Sequence, residues 1–194
     1  MRSIFALTCV AAALVSFACG SSNPSGPSSG TGTLNVRLTD SPFTDAKAVL
    51  VTFSEVSVHR EDAEWTKVPF ADPAAMTRTC DLKKLQGPID ILGIGPVPAG
   101  HYTQIRLVVV STTIYFDNPS DPAVPPCATT IAEPAGAKAS VTIPSGEIKL
   151  NRSFDLAADG TLSIDLDFDG DKSIHLTGSS TYTMSPVVAI KSVQ

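Results

Sequence analysis

The densest set of ligand-type side chains is Asp165-Leu166-Asp167-Phe168-Asp169-Gly170-Asp171. Carboxylates at alternate positions, followed by a glycine, match the opening of a calcium loop, in which hard oxygen donors surround a Ca²⁺ ion. The match then fails, because the twelfth position holds Leu176 where a bidentate Glu is needed. Leu166 and Phe168 also continue an apolar alternation begun at Leu162 and Ile164. Side chains two apart on a strand stand in a row and do not wrap an ion. The pattern therefore predicts a strand with a core face and a solvated carboxylate face, a turn at Asp169-Gly170-Asp171, and no metal site.

Other reactive types are sparse. His59, His101 and His175 are the three histidines, and their spacing gives neither H-x-x-x-H nor H-E-x-x-H, so surface or satisfied polar positions are expected for them. Gly26-Pro27-Ser28-Ser29-Gly30 spells the hydrolase elbow G-x-S-x-G, a motif that works only on a strained strand-to-helix turn. Here it lies within a Ser/Gly/Pro run and reads as a product of composition. No local motif nominates a nucleophile or a cofactor, and a non-catalytic protein is expected. Trp65, Tyr102, Tyr115 and Tyr182 each fall inside a strand-like stretch, which favours core packing over an exposed platform for sugar rings. A net charge of -5 with scattered basic residues leaves no electrostatic footprint for nucleic acid.

These residues must be positioned by strands. The longest candidate runs from Pro98 to Phe116: Pro98 and Gly100 supply a turn, and a β-branched run follows. Ile105, Leu107 and Val109 point one way and Val108 and Val110 the other, so this strand is predicted to be central and apolar on both faces. Leu34, Val36 and Leu38 alternate with polar residues up to a turn at Asp40-Ser41-Pro42. Val49, Val51 and Phe53 lie on odd positions but Val56 and Val58 on even ones, a parity switch at Ser54-Glu55 that implies a bulge or a bend. Trp65 to Phe70 reads as a short strand, and Cys80 to Leu85 as a strand or one helical turn. Asp117 to Ala139 reads as a long surface excursion, and a hairpin-like pair is expected around Pro144-Ser145-Gly146. Another strand starts at Ser153, and a last one runs from Tyr182 to Val193. Short strands at frequent turn signals, without an amphipathic helix, argue an all-β, two-sheet sandwich.

The N-terminus reads as an export segment. Met1-Arg2-Ser3 supplies a positive charge, Ile4 to Ala18 is apolar, and Ala18 precedes Cys19. This resembles the lipobox at which a bacterial lipoprotein is cleaved and its new N-terminal Cys19 acylated, with Ser16 standing where Leu is usual. The apolar run is shorter than the roughly 20 residues a spanning helix needs. Residues 1–19 are thus expected to be a lipoprotein signal peptide, 20–33 a Ser/Gly/Pro-rich flexible tether and 34–194 a single domain. The expected partner is a membrane, through a lipid at Cys19, and Gly20 in place of Asp points to the outer membrane of a diderm. Cys80 and Cys127 are the two cysteines left in the exported domain, and an oxidising compartment favours their pairing.

Several phrases occur together: Leu38-Thr39-Asp40-Ser41-Pro42, Val51 to Arg60 ending in Val58-His59-Arg60, Pro98-Ala99-Gly100-His101-Tyr102-Thr103-Gln104-Ile105-Arg106, Pro144-Ser145-Gly146, Asp167-Phe168-Asp169 and Ser185-Pro186-Val187. In this order and spacing the chain resembles the bacterial envelope-lipoprotein family catalogued as domain of unknown function 4382. The resemblance implies an extracytoplasmic sandwich, immunoglobulin-like or transthyretin-like, on a lipid tether. It brings no established activity and therefore no catalytic residue. The leading expectation is a non-catalytic surface lipoprotein serving interaction or envelope structure, its protein or glycan partner unspecified. The alternatives are a carbohydrate- or other ligand-binding module, including calcium-dependent adhesion, and an unrecognised enzyme.

Overall fold

The structure, a computed structural model, describes residues 30–41, 44–61, 63–120, 124–178 and 181–194. The signal segment, Cys19, Ser28 of the elbow-like motif and Pro42 lie outside the described residues.

Among the described residues thirteen strands build two sheets that pack against each other. The smaller sheet has the order β13 (Val188–Val193), β10 (Thr161–Asp169), β1 (Thr31–Ser41), β5 (Asp90–Pro98). Its central pair, β1 and β10, is parallel and runs in unbroken register from Thr33 opposite Thr161 to Ser41 opposite Asp169. β1 begins at Thr31, inside the segment read as tether, and ends at Ser41, inside the residues read as a turn.

The larger sheet is organised on β6 (Gly100–Tyr115), as the sequence suggested. β2 (Ala48–His59) lies antiparallel along its whole length. Beyond β2 come β3 (Thr66–Val68), β4 (Arg78–Asp81) and the two-residue β7 (Cys127–Ala128). A single 3-10 turn, Leu82–Leu85, follows β4, so both readings of that segment hold in succession. On the opposite flank of β6, β9 (Glu147–Leu156) covers its first half and β8 (Lys138–Thr142) its end. The expected hairpin at Pro144-Ser145-Gly146 is therefore absent. β8 and β9 do not pair with each other but follow one another along the same side of β6, and Val109 donates from its amide to the Gly146 carbonyl at 2.8 Å between them. The strand expected to start at Ser153 is the second half of β9.

The last predicted strand is two strands in different sheets. After β10 a helical turn, α1 (Gly170–Ser173), leads to β11 (Ile174–Thr177) and β12 (Thr181–Met184) in the larger sheet. Pro186, which has no N–H to offer a ladder, then separates β12 from β13, and the chain returns to the smaller sheet beside β10.

The core lies between the sheets. Leu34, Val36 and Leu38 of β1 and Ile164, Leu166 and Phe168 of β10 face Val51, Phe53, Val56 and Val58 of β2 and Ile105 and Leu107 of β6. Burying each such side chain contributes about 1.5–3 kcal/mol. The parity switch in β2 is a bulge: the register slips around Phe53, so Val49, Val51 and Phe53 before it and Val56 and Val58 after it all reach the core. The second apolar face predicted for β6 is not buried, since Val108 is half-buried and Val110 is 57% exposed. Among the described residues no second layer covers this part of the sheet's outer face, so β-branched residues there serve strand geometry more than burial.

Candidate functional site

The carboxylate row on β10 is shielded where solvation was expected. β10 is flanked by β1 and β13, and both neighbours bring partners to its outer face. Arg37, opposite Asp165 in register, donates to both its oxygens, at 2.5 Å from Nε and 2.9 Å from Nη2. Ser192 on the other side donates to Asp165 Oδ2 at 2.7 Å. Asp167 takes the Lys191 ammonium at 2.7 Å and the Ser41 hydroxyl at 3.1 Å. Asp169 accepts from the Lys172 backbone N–H at 3.0 Å as the N-cap of α1, and from the Lys172 ammonium at 2.6 Å. The turn expected at Asp169-Gly170-Asp171 is thus a capped helical turn. Burial pushes the Asp165 carboxyl up, but the hydrogen bonds from Arg37 and Ser192 outweigh it and hold the group below its ordinary value. The Lys172 hydrogen bonds lower Asp169 likewise. Among the described residues no three His, Cys, Asp or Glu side chains are arranged to hold a metal ion.

Asp40 is the residue that sequence reasoning missed. It is 5% exposed on the core-facing side of β1, beyond Leu34, Val36 and Leu38, and neither carboxylate oxygen closes a hydrogen bond. The Gln86 side-chain nitrogen is buried and unpartnered too, although the two backbones meet in a short bridge. Burial pushes the Asp40 carboxyl up to about 8. The Asp167 charge adds to the rise, while the Gly170 amide, the Gln86 amide and the Lys83 charge act against it. The signal was in the sequence, since Asp40 keeps the even parity of the apolar residues before it; the turn-like Asp40-Ser41-Pro42 concealed it.

A second ionic ladder crosses the outer face of the larger sheet. Glu55 joins Lys67 at 2.8 Å and Arg106 at 2.6 Å, and Arg106 also receives Ser57 as an acceptor at 3.2 Å. Burial raises Glu55, and the bonds from Lys67, Arg106 and Ser57 reverse this to leave it below its ordinary value. The Arg106 guanidinium lies 4.3 Å from the Trp65 ring centre, and His59 packs on the same indole at 4.9 Å. Trp65 thus has no coplanar Tyr beside it: Tyr102 and Tyr115 are fully buried, and Tyr182 pairs with Phe116. A stacking platform built on Trp65 and a tyrosine is excluded by this arrangement.

The histidines are dispersed. His59 ends β2, with a buried Nδ1 that has no partner. His101 Nδ1 meets Asp155 at 2.7 Å, with both side chains exposed. His175 sits on β11. Among the described residues none of the three has both an Asp and a Ser within hydrogen-bond reach.

Cys80 and Cys127 form a disulfide, with Cα atoms 4.0 Å apart and in direct register between β4 and β7. It ties the 117–139 excursion to the sheet, with Asp90 accepting from the Cys127 N–H at 2.9 Å. In the chain-entropy account, closing a loop with a separation of 47 residues stabilises by up to ~4 kcal/mol. No helix of the described residues is long and apolar enough to cross a membrane.

Comparison of the chain with curated proteins finds no match, and comparison with solved structures finds none either. One family model, described as Domain of unknown function (DUF4382), matches residues 31–186, from the start of β1 to the proline between β12 and β13. The described parts of the phrases that carry the resemblance lie mainly on β1, β2, β6 and β10 and in the links that follow β8 and β12, and the chain belongs to the DUF4382 family.

Proposed function

We propose that the chain is an exported lipoprotein, acylated at Cys19 and held on the cell envelope, whose β-sandwich serves interaction or envelope structure without catalysis. The carrying observation is the short sequence separation between Cys19 and the first strand. β1 starts at Thr31, and the eleven residues between Cys19 and it are Ser, Gly and Pro apart from Asn23, a composition that as a flexible coil would span roughly 18 Å. With a lipid at Cys19, a connection of that length would hold the sandwich close to a membrane surface. The polar side chains support a structural use, because the carboxylates on β10 and the Glu55–Arg106 pair are engaged across strands. Gly20 after Cys19 favours the outer membrane. Labelled palmitate is expected to enter the wild type and not Cys19→Ala, and the variant is expected to leave the membrane without detergent. Equal detergent-free extraction of the two proteins would sink the reading.

A further inference from the structure

We propose that the cleft at the start of β6, walled by Arg60, Glu61 and His101, binds a zwitterionic phospholipid headgroup, with the phosphate on Arg60 and the ammonium on Glu61. This rests on the membrane placement proposed above and gives it a ligand. The solution titration below requires no acylation, so the two can fail separately.

Two of the sequence phrases with no role so far, Val58-His59-Arg60 and Pro98 to Arg106, converge here. β2 and β6 are antiparallel, with His59 opposite Gln104, so the chain leaving β2 lies beside the turn that enters β6. Arg60 packs on Gly100, whose φ of +148° is a conformation that L side chains rarely adopt, and a Cβ there would stand 3.4 Å from the Arg60 Cδ and Nη1. Arg60, Glu61, Ala99, Gly100 and His101 line an open cleft of about 390 Å³.

The charge on Arg60 is what calls for a ligand. Arg37, Arg78 and Arg106 each meet a carboxylate. Arg60 is half-buried and, among the described residues, meets none. Its Nε is buried without a partner and its Nη1 reaches only the Ala99 carbonyl, at 3.5 Å, so most of its N–H donors close no bond. Charges withdrawn from water are as a rule paired, and a planar guanidinium matches phosphate oxygens two at a time.

Glu61 decides the class of anion. It is exposed on the same cleft, and no cation of the described residues joins it. A simple anion on Arg60 would meet this carboxylate as a like charge, whereas a molecule that carries an ammonium a few bonds from its phosphate answers both. His101 completes the wall, and its Nδ1 already engages the Asp155 carboxylate at 2.7 Å. The location selects a lipid as the source. The Ala99 N–H donates to the Gly30 carbonyl at 2.8 Å, which puts the cleft beside the point where the chain from Cys19 enters β1. Two charge contacts at an open site bind weakly, but a short flexible tether supplies effective concentrations in the millimolar range.

The test is an amide NMR titration of the purified full-length protein, held in an uncharged maltoside detergent, with phosphoethanolamine, glycerol phosphate and ethanolamine up to tens of millimolar. The expected result is saturable shifts around Arg60, Gly100 and His101 with phosphoethanolamine, and binding weaker by about threefold or more with the other two. Arg60→Gln should abolish the shifts. Glu61→Gln, an exposed change that keeps the test open if the first perturbs folding, should bring phosphoethanolamine down to the level of glycerol phosphate. On vesicles of phosphatidylethanolamine mixed with phosphatidylglycerol, the backbone around Arg60 and Gly100 should exchange hydrogen more slowly than on phosphatidylglycerol alone. Absence of saturable shifts with phosphoethanolamine overturns the proposal, and equal binding by Glu61→Gln and wild type overturns its zwitterionic part. Binding in solution without slowed exchange on the mixed vesicles overturns the lipid as the source.

Discussion

Asp165 and Asp40 sit on neighbouring strands of one sheet, both nearly closed to solvent, and their acidities move in opposite directions. Asp165 faces outward, where Arg37 and Ser192 meet it from the two flanking strands, and the charged form is the stable one. Asp40 faces the core beside Phe168, its register partner, where burial outweighs what the Gly170 and Gln86 amides and the Lys83 charge offer, and the neutral form is the stable one. Burial alone does not decide the state of a carboxyl; the sheet face it points from decides which partners can reach it.

The contrast is broken most strongly at Asp40. Its pKa rises from 3.8 to about 8 on folding. The folded state therefore holds an additional proton between those values, so this group's stabilising contribution is complete below about pH 3.8 and is lost as pH rises through 8. Wild type is expected to lose up to ~5 kcal/mol from this source, and Asp40→Asn to match it near pH 4 and exceed it at pH 8. Denaturant melts at pH 4, 6 and 8 check this, and equal slopes for the two proteins would remove the assignment. Asp165 behaves oppositely: its stabilisation is present above its unfolded value near 3.8 and is lost as pH falls below that. Asp165→Ala leaves Arg37, with a side chain 25% exposed, without its carboxylate, and is expected to cost about 2–4 kcal/mol at pH 6 by the same melts. Asp165→Ala/Arg37→Ala should recover part of that loss.

Asp167 couples the two, since it lies in the outward row while its charge raises Asp40. Asp167→Asn is expected to end the decline of stability at a lower pH than in wild type, seen in the same pH series. Lys191→Met, which removes a 59% exposed ammonium from Asp167, should cost no more than about 1 kcal/mol at pH 6 by urea denaturation. Lys172→Ala should change the melting midpoint least, because the ammonium is exposed and Asp169 keeps its backbone cap.

Periodicity made much of the fold legible. Alternation on β1 and β10, the β-branched run of β6 and the parity switch at Ser54 are local patterns, and local patterns survive folding. What was not legible is which strands become neighbours. Arg37 and Asp165 are 128 residues apart, so nothing local to Asp165 foretold that its charge would be neutralised. The Glu55–Arg106 pair is equally nonlocal, since its members lie 51 residues apart on β2 and β6. The division between β12 and β13 was readable at Pro186, but the apolar residues on either side obscured the change of sheet.

The parallel pairing of β1 with β10 has a mechanical consequence. Any pull delivered through the segment before Thr31 runs along the axis of β1, which is bonded to β10 on one side and to β5 on the other. Such a load shears both ladders at once and cannot peel them one bond at a time. The first strand of the described residues is also interior to its sheet, so a load applied from that end would be resisted by the whole smaller sheet.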